Sequence, residues 1–201
     1  REALAQLSCA WEDDPAQHLV TIGVTGTKGK TTTTYMIKAI LEAAGQKTGL
    51  IGTNGAVIGE NHYPTKNTTP ESYILQEYFA KMVEAGCRYI VMEVSSQSYL
   101  MHRVDGLFFD YGIFLNISND HIGPNEHASF EEYLYYKKQL LKNCRTALVN
   151  RDDPHFDAIV EGATAEILTF SLEQAADFTA DDIHYVREHD FVGVEFQTHG
   201  R

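Results

Sequence analysis

An α/β fold, with a mostly parallel sheet flanked by helices around a phosphate-binding loop, is predicted by three observations. An apolar run, Leu19-Val20-Thr21-Ile22, leads into Gly23-Val24-Thr25-Gly26-Thr27-Lys28-Gly29-Lys30-Thr31-Thr32, and a helical pattern follows. Short apolar runs then alternate with helical patterns to about residue 161, as strands joined by crossover helices do. After about Ala165 the helical pattern stops. Residues 166–170, 183–187 and 191–197 read as successive strands with polar turns, a small antiparallel β appendix near the C-terminus.

The elements follow in order. Leu4 and Leu7 at helical spacing predict a lead-in helix over residues 2–10. Residues 19–24 form a buried strand. From Thr32 to Ala44 a helix buries Ile37, Ile40, Leu41 and Ala44, and Gly45 closes it. Residues 48–52 are a second strand, and 56–58 with 62–63 flank Gly59-Glu60-Asn61 as a small hairpin. Thr69 as N-cap and Pro70 at the first helical position open a helix with Ile74, Leu75, Tyr78, Phe79, Met82 and Val83 on its core face. Residues 89–94, 111–116 and 147–150 are further strands. Ser129-Phe130-Glu131-Glu132 is a capping box opening a helix to about Asn143, and residues 153–161 a short helix.

The 201 residues suffice for one domain, 1–201, with a sizeable core. A hydrophobic fraction of 43% and a charged fraction of 22% belong to the globular class. The formal net charge of −12 argues against general nucleic-acid binding and against an anionic membrane surface. No apolar run approaches the ~18 residues of a spanning helix, so no membrane insertion is expected. Cys9, Cys87 and Cys144 are odd in number and form no C-x-x-C pair, which predicts buried reduced thiols and a cytoplasmic location. No signal peptide is visible, and with Arg1 in place of a methionine the chain is expected to be a fragment.

The loop carries the chemistry. Gly26 and Gly29 let the backbone aim its N–H groups at phosphate oxygens, and the following helix start adds a positive dipole end. Lys30 is placed to reach terminal phosphates and Thr31 to ligate magnesium. The loop departs from the common G-x-x-x-x-G-K-[ST] pattern, because Val24 stands where its first glycine belongs. Ligands of open α/β sheets sit at the C-terminal strand ends. Two further ends here are polar, Met92-Glu93-Val94-Ser95-Ser96-Gln97 and Asn116-Ile117-Ser118-Asn119-Asp120-His121. Glu93 ends an apolar strand, where a carboxylate is costly unless paired or bound to metal. On residues alone, His121 reads as structural, His127 as surface, Lys137 as solvated, and Arg103 as either an anion contact or a surface ion pair.

Together, Gly26-Thr27-Lys28-Gly29-Lys30-Thr31-Thr32, Thr68-Thr69-Pro70, Met92-Glu93-Val94-Ser95-Ser96, His102-Arg103-Val104, Asn116-x-x-x-Asp120-His121 and Tyr133-x-x-x-Lys137 resemble the central ATPase domain of the Mur ligase family. The likeness runs from about Val20 to Asn150, and is strongest to members that add the third peptide residue. It implies that Gly26, Thr27, Lys28, Gly29, Lys30, Thr31 and Thr32 bind ATP phosphates and that Asn116 lies near the adenine. It further implies Thr31 and Glu93 on a first Mg²⁺, His121 on a second, and Lys137 facing the metal as a carbamate. Carbamylation needs the neutral amine, so an ordinary pKa of ~10.4 must be lowered locally. Thr68, Thr69, Ser95 and Arg103 would contact UDP-MurNAc-L-Ala-D-Glu. The catalytic set is thus Lys30, Glu93, His121 and Lys137.

The implied reaction is amide-bond formation driven by ATP: the D-glutamyl carboxylate becomes an acyl phosphate, which the amine of a diamino acid attacks. The segment 120–127 resembles lysine-adding members more than those using meso-diaminopimelate. Lys28 and Gln97 depart from the family pattern, where Asn and His are frequent. The family's uridine-nucleotide and amino-acid domains do not fit in this length, so the isolated chain, expected to be a monomer, is expected to lack ligase turnover. Three rivals stand beside this reading: a folylpolyglutamate synthase-like ligase, a simple phosphate-loop ATPase, and a non-catalytic partner subunit.

Overall fold

The structure is a computed structural model that describes the chain except residues 121, 125, 189, 190 and 201. Among the described residues ten strands form one sheet: β1 (Val20–Thr25), β2 (Thr48–Gly52), β3 (Gly55–Ile58), β4 (Asn61–Tyr63), β5 (Tyr89–Glu93), β6 (Phe109–Phe114), β7 (Cys144–Asn150), β8 (Glu166–Ser171), β9 (Phe178–Glu188) and β10 (Phe191–His199). Their order is β10-β9-β8-β7-β6-β1-β5-β2-β3-β4. β1 lies in the middle, parallel to β5 and to β6. Parallel pairing continues from β5 to β2 and from β6 through β7 and β8 to β9. The β2-β3-β4 hairpins and the β9-β10 ribbon are antiparallel.

Six α-helices among the described residues accompany the sheet: α1 (Glu2–Trp11), α2 (Lys30–Ala43), α3 (Ser72–Glu84), α4 (Ser96–Leu100), α5 (Phe130–Lys137) and α6 (Phe156–Val160). Strand alternation divides the core between the two faces. Ile22, Val24 and Val91 point to one side, where Ile37 and Leu41 of α2 cover them. Ile90 and Met92 point to the other, into the main cluster with Leu75, Phe79 and Met82 of α3 and with Phe109, Phe114 and Tyr133. All three cysteines are buried free thiols, as the sequence predicts.

The structure corrects the sequence reading in several places, the strands read at 111–116 and 147–150 running instead over Phe109–Phe114 and Cys144–Asn150 and the helix read at 153–161 over Phe156–Val160. Residues 166–170 are not part of an antiparallel appendix; β8 pairs parallel with β7, and only β9 and β10 make the ribbon. The third helix begins at Ser72 rather than Pro70, because the Thr69 hydroxyl donates to the Glu93 carbonyl oxygen (2.9 Å) instead of capping a helix. The helix opened by Ser129 ends at Lys137 and continues as a 3-10 helix, Lys138–Lys142. Ile40 and Ala44 at the end of α2, and Ile74 on α3, face solvent rather than the core.

Candidate functional site

The phosphate-loop sequence folds as its glycines require. Gly29 caps α2 with φ of 86°, a left-handed conformation that costs a residue with a Cβ 1–2 kcal/mol or so. Lys30 opens α2, and its ammonium folds back over the loop, donating to the Gly26 carbonyl oxygen (2.8 Å) and, more weakly, to that of Thr27 (3.3 Å). The strand end after β6 is stitched to this loop. The Thr27 N–H donates to the Asn116 carbonyl (3.0 Å). The Asn116 side chain accepts from the Lys28 N–H (2.9 Å) and donates to the Lys28 carbonyl (3.1 Å). Asp153 holds the next residue from behind, accepting from the Ile117 N–H (2.7 Å). Above them Lys28 pairs with Asp120 (2.7 Å) at the surface.

Glu93, the last residue of β5, is 1% exposed. Its Oε1 accepts from the Thr31 hydroxyl (2.9 Å) and from the Thr53 N–H (2.9 Å), and its Oε2 from the Thr53 hydroxyl (3.2 Å). Gly52 makes this possible: a Cβ there would lie 2.3 Å from Glu93 Oε1. Thr53 continues to Thr68 (3.1 Å between hydroxyl oxygens). Thr69 ties the backbone of Glu93 to that of Ser95, whose N–H donates to the Thr69 hydroxyl (3.1 Å) and whose own hydroxyl caps α4 through the Ser98 N–H (3.2 Å). Loop, strand end and threonines enclose a cavity of about 380 Å³ lined by Thr27, Lys28, Gly29, Lys30, Thr31, Thr32, Thr53, Thr68 and Glu93.

Lys137, read as solvated on residues alone, is 2% exposed. Its Nζ donates to the Gly26 carbonyl (3.0 Å), the oxygen that Lys30 also uses, and lies 4.7 Å from the centre of the Tyr133 ring. Burial, then the neighbouring Lys30 cation, holds its pKa well below the ordinary lysine range. Lys30 is lowered too, first by burial, with Glu93 opposing. Burial pushes the Tyr133 phenol up to about 12.

Thr31, Glu93, Lys30, Lys137 and the loop glycines thus converge, with Thr68 on the rim and Thr69 and Ser95 just behind Glu93. Arg103 stands apart: its guanidinium meets Glu71 Oε1 through Nε and Nη2, both at 2.8 Å, so its charge is already met. His121 lies outside the described residues. His127 is not at the surface. It is buried, 2.8 Å from the Ser96 hydroxyl, with its ring against Tyr133 and Tyr136. Sequence reasoning missed Thr53, Gly52 and Asp153. Thr53 and Gly52 were findable, since they end β2 on the edge where the other polar strand ends were sought. Among the described residues no group of three or more His, Cys, Asp or Glu side chains gathers as a metal site. A hydroxyl and a carboxylate oxygen 2.9 Å apart are nonetheless the hard donors that Mg²⁺ takes when it keeps several waters.

Comparison with known proteins accounts for this arrangement, since residues 24–199 match the Mur ligase middle domain. The chain belongs to the Mur ligase family. It is 41% identical over 198 residues to the UDP-N-acetylmuramoyl-L-alanyl-D-glutamate--2,6-diaminopimelate ligase of Caldanaerobacter subterraneus subsp. tengcongensis, covering 98% of this chain and 40% of that protein. It is 48% identical over 163 residues to the UDP-N-acetylmuramyl-tripeptide synthetase of Lactococcus lactis subsp. cremoris, covering 80% of this chain and 34% of that protein. A solved structure of a UDP-N-acetylmuramoyl-L-alanyl-D-glutamate--2,6-diaminopimelate ligase superposes with a TM-score of 0.85 at 27% identity, over 100% of this chain and 42% of that one. The Mur ligase middle domain therefore spans about two fifths of the length of the relatives it matches. No helix among the described residues is long and apolar enough to cross a membrane.

Proposed function

We propose that this chain is the ATP-binding central domain of a ligase that joins a diamino acid, L-lysine or meso-diaminopimelate, to UDP-MurNAc-L-Ala-D-Glu through an acyl phosphate. The carrying observation is the pair of lysines, half-buried Lys30 and fully buried Lys137, that share the Gly26 carbonyl beside the Thr31–Glu93 contact. A hydrolytic phosphate-loop protein needs the first lysine and the hydroxyl–carboxylate pair; it has no use for a second lysine buried against the loop.

In this reading the loop amides and Lys30 hold the ATP phosphates and meet the charge that spreads over the transferring oxygens. Thr31 and Glu93 would hold one Mg²⁺, with His121 assigned to a second. Bound there, magnesium would offset charge between the β- and γ-phosphates. Lys137, whose charged form burial and the neighbouring Lys30 disfavour, is suited to take up carbon dioxide as a carbamate: the neutral amine nitrogen bonds the carbon and a proton leaves to solvent, turning the side chain into an anion. Asn116 lies on the adenine side of the loop. Thr68, Thr69 and Ser95 stand on the side from which the acceptor carboxylate arrives, and Arg103 would meet the anionic nucleotide after exchanging Glu71. The proposal carries with it a monomeric cytoplasmic enzyme whose uridine-nucleotide and amino-acid domains lie in the remaining length of the relatives.

Calorimetric titration with Mg-AMPPNP tests the site, with binding expected for the wild type and lost in Lys30→Ala; equal, negligible heats favour a non-catalytic partner. In the full-length ligase carrying this domain, ADP release should require both UDP-MurNAc-L-Ala-D-Glu and one of the two diamino acids, and Lys137→Ala should abolish it. Hydrolysis indifferent to Lys137 and to both substrates would leave a simple ATPase. The isolated chain should show no amide formation.

A further inference from the structure

Thr27 and Tyr133 are 106 residues apart, yet their hydroxyls meet at 3.0 Å in the interior. Thr27 Oγ1 also accepts from the Ser118 N–H (3.0 Å), so one hydroxyl joins the phosphate loop, the strand end after β6, and α5. Tyr133 and Lys137 are one helical turn apart on the same face of α5. The first touches Thr27 and the second Gly26, consecutive residues of the loop. Behind Tyr133 stands the His127 ring (5.3 Å between centroids), itself fixed to Ser96. The phenol is therefore wedged in place before any ligand arrives.

We propose that Tyr133 is a positioning residue: through Thr27 it struts α5 against the phosphate loop and sets where Lys137 lies relative to Lys30 and the nucleotide. This rests on the nucleotide-binding reading of the loop. Lys137 alone cannot serve as the strut, because any change in its own bonding breaks its tie to Gly26 and leaves that carbonyl to Lys30, which belongs to the loop's own helix and not to α5. The Tyr133–Thr27 contact survives such a change. Without it the loop samples other curvatures, and affinity falls by the fraction of time the competent one is lost.

The test is Mg-AMPPNP titration of wild type, Tyr133→Phe, Thr27→Val, their double variant and Thr27→Ser, with thermal denaturation of each. Tyr133→Phe keeps the ring and its packing on His127. It should weaken binding about five-fold, the worth of one buried neutral hydrogen bond. Thr27→Ser, which keeps the hydroxyl, should recover most of the affinity that Thr27→Val loses, and the double variant should be no worse than Thr27→Val, since Thr27→Val already breaks the Tyr133 contact along with the Ser118 bond. Wild-type affinity in Tyr133→Phe, or losses that multiply in the double variant, would overturn the strut. Amide hydrogen exchange separates this from failure of the nucleotide reading. Even in a chain that binds no nucleotide, Tyr133→Phe should speed exchange at Thr27 and Ser118, and unchanged exchange refutes the strut by itself.

Discussion

Replacing Gly52 with alanine adds a single methyl group at the point where the geometry is tightest. The new Cβ would sit 2.3 Å from Glu93 Oε1, 3.0 Å from Cδ and 3.1 Å from Cγ. Ordinary contact begins near ~3.5 Å, so the carboxylate must retreat by about 1 Å. Glu93 is 1% exposed, and the space open to it is the cavity it lines. The Thr31 hydroxyl and the Thr53 N–H, both at 2.9 Å, are then beyond hydrogen-bond range. Two bonds to a charged acceptor, partly recovered by relaxation, are worth about 2–4 kcal/mol. At roughly 2–4 °C per kcal/mol for a domain of this size, Tm should fall by about 4–16 °C. Gly52 is not in the left-handed region, so alanine strains no backbone there and the clash is tested alone. Differential scanning calorimetry reads the Tm, and titration with Mg-AMPPNP should show at least about a ten-fold weakening, one such bond's worth, because Thr31 and Glu93 no longer face each other. A Tm within about 2 °C of wild type together with unchanged affinity would refute the claim that Gly52 shapes the site.

Three further substitutions probe the surroundings. The pKa of Lys137 is depressed below 10.5 by burial, so between its folded value and 10.5 the unfolded chain holds a proton that the native one lacks. Stability therefore rises with pH across that window, and the cost of burying the ammonium is greatest below it. Lys137→Met removes the titration; in carbon dioxide-free buffer its Tm gain over wild type should be larger at acid than at alkaline pH, and a pH-independent difference would contradict the assignment. Asn116→Ala frees both backbone groups of Lys28, which water can reach; it should cost about 1 kcal/mol in urea denaturation and speed exchange of the Lys28 amide. Lys28→Ala breaks an ion pair whose lysine side chain is 77% exposed, so stability should change by no more than about 0.5 kcal/mol.

The parts of the site legible in the sequence are those that a short segment determines by itself. Strand, glycine turn and helix give the phosphate loop; an apolar strand ending on Glu93 gives a buried carboxylate; Ser129 gives the start of α5, borne out by the Glu132 N–H bond to its hydroxyl (3.2 Å). What stayed hidden is settled between distant segments. The period of two in β8 is the same for parallel and antiparallel neighbours, and only its register with β7 decides. Thr69 carries the mark of an N-cap, but the Glu93 carbonyl, 24 residues away, takes its hydroxyl first. His127, in the loop that Gly123-Pro124 marks, reads as surface until Ser96, Tyr133 and Tyr136 close over it from two other elements. Lys137 is the sharpest case: nothing within its helix says it is buried, and its environment is made by a carbonyl 111 residues earlier. Family resemblance singled out that lysine, whereas the fold supplies its surroundings, a desolvated amine held against the phosphate loop beside Lys30. The local motif thus names a candidate chemistry, and the long-range contacts bias the charge state of the groups proposed to carry it.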